Sequence, residues 1–143
     1  MPSTPAASPT PSELYRQGIR LLLAGDMAGW IDLFAEDGVA EFPFAPEGYP
    51  RRVEGRDALG AYLRSLGEHI AYEDLPYVDI HETTDPETIV VEMRATGRVT
   101  TTGDAFDMTY IAVITVRDGR FTHYRDYWNP LATPGSLQEA VGA

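Results

Sequence analysis

The chain has 143 residues, with 22 acidic against 11 basic side chains, a net charge of −11 and no cysteine. A chain of this length makes one domain that removes roughly 70% of its unfolded surface from water, so it needs no covalent staple. Disulfides and thiol chemistry are excluded, and a surface this acidic repels phosphate backbones and anionic lipids, so neither nucleic acid nor membrane is an expected partner. The three histidines, His69, His81 and His123, have no His-x3-His spacing, and no bound metal is expected. The apolar stretch near Leu21–Ala24 is far too short to cross a bilayer, and MPSTPAASPTP has neither the basic start nor the apolar run of a secretion signal. A cytoplasmic location follows as an expectation.

Residues 1–11 are rich in Pro, Ser, Thr and Ala and read as a disordered tail. The domain then runs over 12–131, with a second tail at 132–143. Ser12 reads as the cap of a helix whose apolar stripe is Leu14, Ile19, Leu22 and Leu23, ended by Gly25. Asp26 caps a shorter helix carrying Met27, Trp30, Ile31 and Phe34, broken at Gly38, with Trp30 and Phe34 expected in the core. A strand over 39–44 places Ala40, Phe42 and Phe44 on one side. A loop rich in Pro, Gly and Arg leads to a third helix over 57–69, with Leu59, Tyr62, Leu63, Leu66 and Ile70 on its apolar side. Strands follow at 77–82, 88–100, 105–116 and 120–128, the last two joined by Asp118-Gly119, a tight-hairpin dipeptide.

Helices first and an antiparallel meander afterwards give an α+β fold, with helices packed on one face of the sheet. Alternation in the final strand sets Thr122, Tyr124, Asp126 and Trp128 against Phe121, His123, Arg125 and Tyr127. Periodicity alone leaves open which set lines the concave side. Thr109, Ile111, Val113 and Thr115 form an outer face apolar enough to predict a homodimer.

Three strings, LFAEDGVAEFPF (33–44), VEGRDALGAYLRSL (53–66) and DGRFTHYRDYWNP (118–130), with the element order, resemble the SnoaL-like and ketosteroid-isomerase-like proteins of the nuclear transport factor 2-like superfamily. The last string is also similar to limonene-epoxide hydrolases and to the phenazine-biosynthesis A/B family. The resemblance implies a cone-shaped α+β barrel, three helices on a strongly curved and mostly antiparallel sheet. It also implies that the even set faces inward, together with Ile89, Val91, Met93, Ala95, Met108, Tyr110, Ala112 and Ile114. Asp126 then matches an acid–base residue of both enzyme families, with Tyr62 and Tyr124 as candidate partners. Phe42, Phe44, Met93, Met108, Tyr110 and Trp128 would hold substrate. The ketosteroid-isomerase carboxylates are replaced by Phe42 and Ala112, and its tyrosine position falls near Gly18. The Arg and Asp of the epoxide hydrolases are replaced by Met93 and Ala95, and a phenazine-family His by Tyr62.

The function implied is a cofactor-independent isomerase or cyclase of specialised metabolism, of the polyketide-cyclase or antibiotic-biosynthesis kind, acting on a small apolar molecule. The alternatives are an epoxide hydrolase and a binding protein without catalysis. No nucleotide or flavin fingerprint is present. His123 is expected at the dimer contact and His69 at the end of its helix. Glu92, Arg94 and Arg98 are expected in interface ion pairs, and Arg51 and Arg52 in the solvated loop near the opening. Glu41 points outward.

Overall fold

The computed structural model describes residues 8–133 and 135. Most of both expected tails lies outside those residues. The elements run α1 (Pro11–Leu23), α2 (Met27–Asp32), β1 (Phe34–Glu41), β2 (Arg52–Glu54), α3 (Arg56–His69), β3 (Ile70–Glu82), β4 (Thr88–Val99), β5 (Ala105–Arg117) and β6 (Arg120–Trp128). A single 3₁₀ turn follows at Pro130–Ala132.

The first helix starts earlier than the sequence suggested. Thr10, not Ser12, is the cap: its Oγ1 accepts from the Glu13 amide while the Glu13 carboxylate accepts from the Thr10 amide, and Pro11 occupies the first turn, where its missing N–H costs nothing. The second helix stops at Asp32, and Phe34 already belongs to a strand. The sequence pattern suggests a start for β3 at Tyr77. The strand in fact begins at Ile70 and passes Pro76 through two register shifts, which an edge strand tolerates because one row of its amides has no partner to lose. The three-residue β2 was not anticipated.

The six strands form one curved sheet in the order β2-β1-β6-β5-β4-β3. Every neighbouring pair is antiparallel except β1 with β6. Helix α1 packs across β3, β4 and β5, α3 packs near β1, β2 and β3, and α2 bridges the two helices. The cone-shaped α+β architecture is therefore the one expected. Asp118 and Gly119 both take positive φ in the hairpin between β5 and β6, the backbone such two-residue turns require.

Trp30 is the hub of the core. Its ring lies 5.4 Å from Phe121, 5.7 Å from Phe34, 6.0 Å from Tyr124 and 6.4 Å from Tyr15. This placement depends on Gly18, because a Cβ there would stand 2.3 Å from Cζ3 of Trp30. Gly18→Ala gains up to about 1 kcal/mol of helix propensity but overpacks the hub, so a net loss of roughly 1–3 kcal/mol is expected. The urea midpoint should fall with an unchanged slope. An equal or higher midpoint would mean that Trp30 can withdraw without cost.

Candidate active site

Between the helices and the concave side of the sheet lies an apolar cavity of about 130 Å³. For scale, an engineered cavity of about 150 Å³ accepts benzene. Strand alternation builds most of its wall: Val91 and Met93 from β4, Phe106, Met108, Tyr110 and Ala112 from β5, and Tyr124, Asp126 and Trp128 from β6. Tyr15, Met27, Tyr62 and Leu66 come from the helices, Tyr72 from β3, and Phe42 and Tyr49 from the segment between β1 and β2.

Asp126 is the one acidic side chain among the described residues that line this cavity. It stands opposite Ala112, which stands opposite Val91, so its neighbours across the sheet are a methyl and an isopropyl group. Its Oδ1 is sealed from the surface with no hydrogen-bond partner among the described residues. Burial removes hydration from the charged form and pushes the carboxyl up to about 7. An acid poised there takes and returns protons with equal ease at neutral pH.

Around it stand five phenols, of Tyr15, Tyr62, Tyr72, Tyr110 and Tyr124, each pushed upward first by burial and further by the Asp126 charge. Tyr62 and Tyr72 reach about 12. Four of the five are matched in pairs: Tyr15 couples to Tyr124, and Tyr72 to Tyr110. The Tyr15 hydroxyl also donates to Sδ of Met93 at 3.3 Å.

The cavity thus brings together Asp126, Tyr62, Tyr124, Phe42, Met93, Met108, Tyr110 and Trp128. Phe44 is the exception. The strand ends at Glu41 and the chain turns, Ala45 N–H donating to Phe42 O at 3.1 Å, so alternation cannot be extended to Phe44. Its ring is 60% exposed and packs on Tyr127 at 5.3 Å, outside the cavity. Thr122 is also displaced. A register shift opposite Thr115 and Val116 makes Thr122 the extra residue, its hydroxyl donates to Thr115 O, and Phe121, placed outward by simple alternation, is buried against Trp30 and Phe34. Thr133, assigned to the C-terminal tail, is buried and reaches the cavity wall.

Sequence reasoning missed Tyr15, Tyr49 and Tyr72. Tyr15 had a signal: it lies one turn before Gly18 and Ile19 on the stripe of α1. Tyr72 was hidden by the late start assigned to β3.

The other polar candidates lie elsewhere. His69 is absent from the cavity wall. His123 hydrogen-bonds Glu41 on the outer face, and Arg52 pairs with both Glu41 and Glu54. Glu92, Arg94 and Arg98 are engaged within the chain, with His81, Asp107 and Glu73. Asp79, His81 and Glu92 have the composition of a metal site, their ligand atoms all within 4.8 Å of one another. Spacing along the sequence could not show this, because Glu92 is the cross-strand partner of Asp79. The His81 imidazole lies 3.3 Å and 2.9 Å from the two carboxylates, which raise its pKa.

Residues 15–124 match the model of the SnoaL-like domain. The chain belongs to the SnoaL-like family. Among its relatives, a PhzA/B-like protein of Pseudomonas aeruginosa, itself uncharacterised, is 41% identical over 83% of this chain and 84% of that one. A solved structure from Bacillus subtilis, classed provisionally as an isomerase, is 37% identical with a TM-score of 0.82, covering 92% of this chain and 91% of its own. The Δ5-3-ketosteroid isomerase of a Mycobacterium species shares the fold at 23% identity, with a TM-score of 0.73 over 88% of this chain and 97% of its own. No helix among the described residues is long and apolar enough to cross a membrane.

Proposed function

We propose that this SnoaL-like protein is a cofactor-independent isomerase or cyclase that moves a proton within a small, largely apolar substrate. Asp126 takes a proton from an acidic C–H and returns it elsewhere, and Tyr62 lines the cavity beside it. The observation that carries this reading is a lone carboxylate in an aromatic cavity, with Oδ1 sealed from the surface and unpartnered among the described residues. A carboxylate exposed to water would be a poorer base at the same pH, because hydration would hold its pKa near 4.

The test needs no knowledge of the natural substrate. One- and two-ring ketones, with indan-1-one as reference, are incubated with the protein in deuterium oxide, and deuterium gained beside the carbonyl is read by NMR. Incorporation above the buffer rate is expected. Ketones that bind without exchanging would instead select the binding protein.

We also propose a homodimer through the outer sheet face, where Ile111 and Tyr77 are 42% and 46% exposed. Sedimentation should give twice the chain mass, and Ile111→Asp should halve it. A monomer at all concentrations would end that proposal.

A further inference from the structure

Of the phenols around the cavity, Tyr49 was the least expected, because it sits in the irregular segment between β1 and β2. A turn aims it inward: Tyr49 N–H donates to Pro46 O at 3.1 Å, and Gly48 holds φ at 93°, a conformation that costs glycine nothing. The ring rests on Trp128, with centroids 5.6 Å apart, and Trp128 is two residues beyond Asp126 on the same side of β6. The Tyr49 side chain lines the cavity, yet its hydroxyl is sealed from the surface and has no hydrogen-bond partner among the described residues.

That is an uneven distribution of bonding. The Tyr15 and Tyr110 hydroxyls donate to the sulfurs of Met93 and Met108, whereas the Tyr49 hydroxyl has no hydrogen-bond partner among the described residues. Leaving a buried hydroxyl unpaired is costly, and such groups ordinarily answer to something that arrives later. Only two buried side-chain polar atoms on this cavity wall are unpartnered among the described residues: the Tyr49 hydroxyl and Oδ1 of Asp126.

We infer that the Tyr49 hydroxyl is the donor that binds the substrate's oxygen. The ligand class is then a ring-sized apolar molecule with one acceptor oxygen, a ketone or enone, and one transferable proton facing Asp126. This rests on the proton-transfer reading and adds its second pole. As the Asp126 carboxylate takes the proton from carbon, the C–H electron pair forms the new C=C bond and the carbonyl pair moves to oxygen. Tyr49 stabilises that oxygen by a hydrogen bond and keeps its own proton. Return of the proton from Asp126 to another carbon restores the carbonyl and the carboxylate, so atoms and charge balance. In a dry cavity such a donor is worth far more than in water.

Tyr49→Phe removes one oxygen and keeps the ring on Trp128. Because that oxygen holds no protein group, the melting temperature should stay level or rise. Deuterium exchange into indan-1-one should fall on the order of 10²-fold, in kcat rather than KM. A second measurement does not depend on the base. In the Asp126→Asn background, titrating bound 4-nitrophenol by its phenolate absorbance should show ionisation at a pH lower by one unit or more than in the double variant with Tyr49→Phe. Equal titrations in the two backgrounds would overturn the inference, and so would a lowered melting temperature on Tyr49→Phe, which would mark a structural hydroxyl. If instead Asp126→Asn retained exchange while the nitrophenol shift persisted, the base assignment would fail and the donor would stand.

Discussion

Replacing Asp126 by Asn is expected to lower ketone exchange on the order of 10²–10⁴-fold, the range ordinarily lost when a positioned base is removed. The substitution keeps the volume of the side chain and its place opposite Ala112, so the cavity keeps its shape and loses only the proton acceptor. In the parent protein the reactive form is the ionised carboxylate. Exchange should therefore rise about tenfold per pH unit below the carboxyl's pKa, bend at about 7 and level above it. The bend belongs to the free protein and is read from kcat/KM. A profile that bends near 4, or an Asn variant that retains full exchange, would remove Asp126 from the mechanism.

The same substitution should make the protein more stable, and only on one side of the pH scale. In the unfolded chain an Asp carboxyl titrates near 3.9, whereas in the fold it titrates at about 7. The folded state thus holds its proton more tightly. The contribution of this group to stability is fully present below about pH 4 and is lost as the pH rises through about 7. A shift of about 3 units corresponds to at most roughly 4 kcal/mol, because each unit is worth about 1.4. Asn cannot ionise, so Asp126→Asn should match the parent near pH 4, gain progressively between 4 and 7, and hold a constant advantage above. Urea unfolding of both proteins across pH 4–9 measures it, and taking the difference cancels the other carboxylates. A difference independent of pH would show that Asp126 is not desolvated. The cost is the familiar one of a functional group kept where folding alone would not choose it.

The long elements were legible because their periodicity is strong. The stripe on α3 and the alternation of β4 and β5 put Tyr62, Met93, Met108 and Tyr110 on the cavity wall as expected. Errors arose where backbone geometry departs from strict alternation. The extra residue at Thr122 reverses the expected side of Phe121, the turn after Glu41 carries Phe44 outside, and the irregular passage around Pro76 concealed the stretch of β3 that holds Tyr72. Tyr49 was unreadable for a different reason. Its direction is set by a four-residue turn, and neither a period of 2 nor of 3.6 says where a turn aims its last side chain.

The upward shift of the buried phenols has a consequence for what the cavity will admit. The Tyr15 and Tyr110 hydroxyls already donate to methionine sulfurs before any guest enters, and Tyr62 and Tyr72 lose their protons only at about 12. From neutrality into strong alkali the lining therefore contributes one negative charge, that of Asp126. An anionic guest must meet that charge at short range with almost no solvent between, after crossing a field set by eleven surplus negative charges. The chamber is thus a filter for uncharged molecules, and carboxylates or phenolates gain entry only where acid has first silenced its single occupant charge.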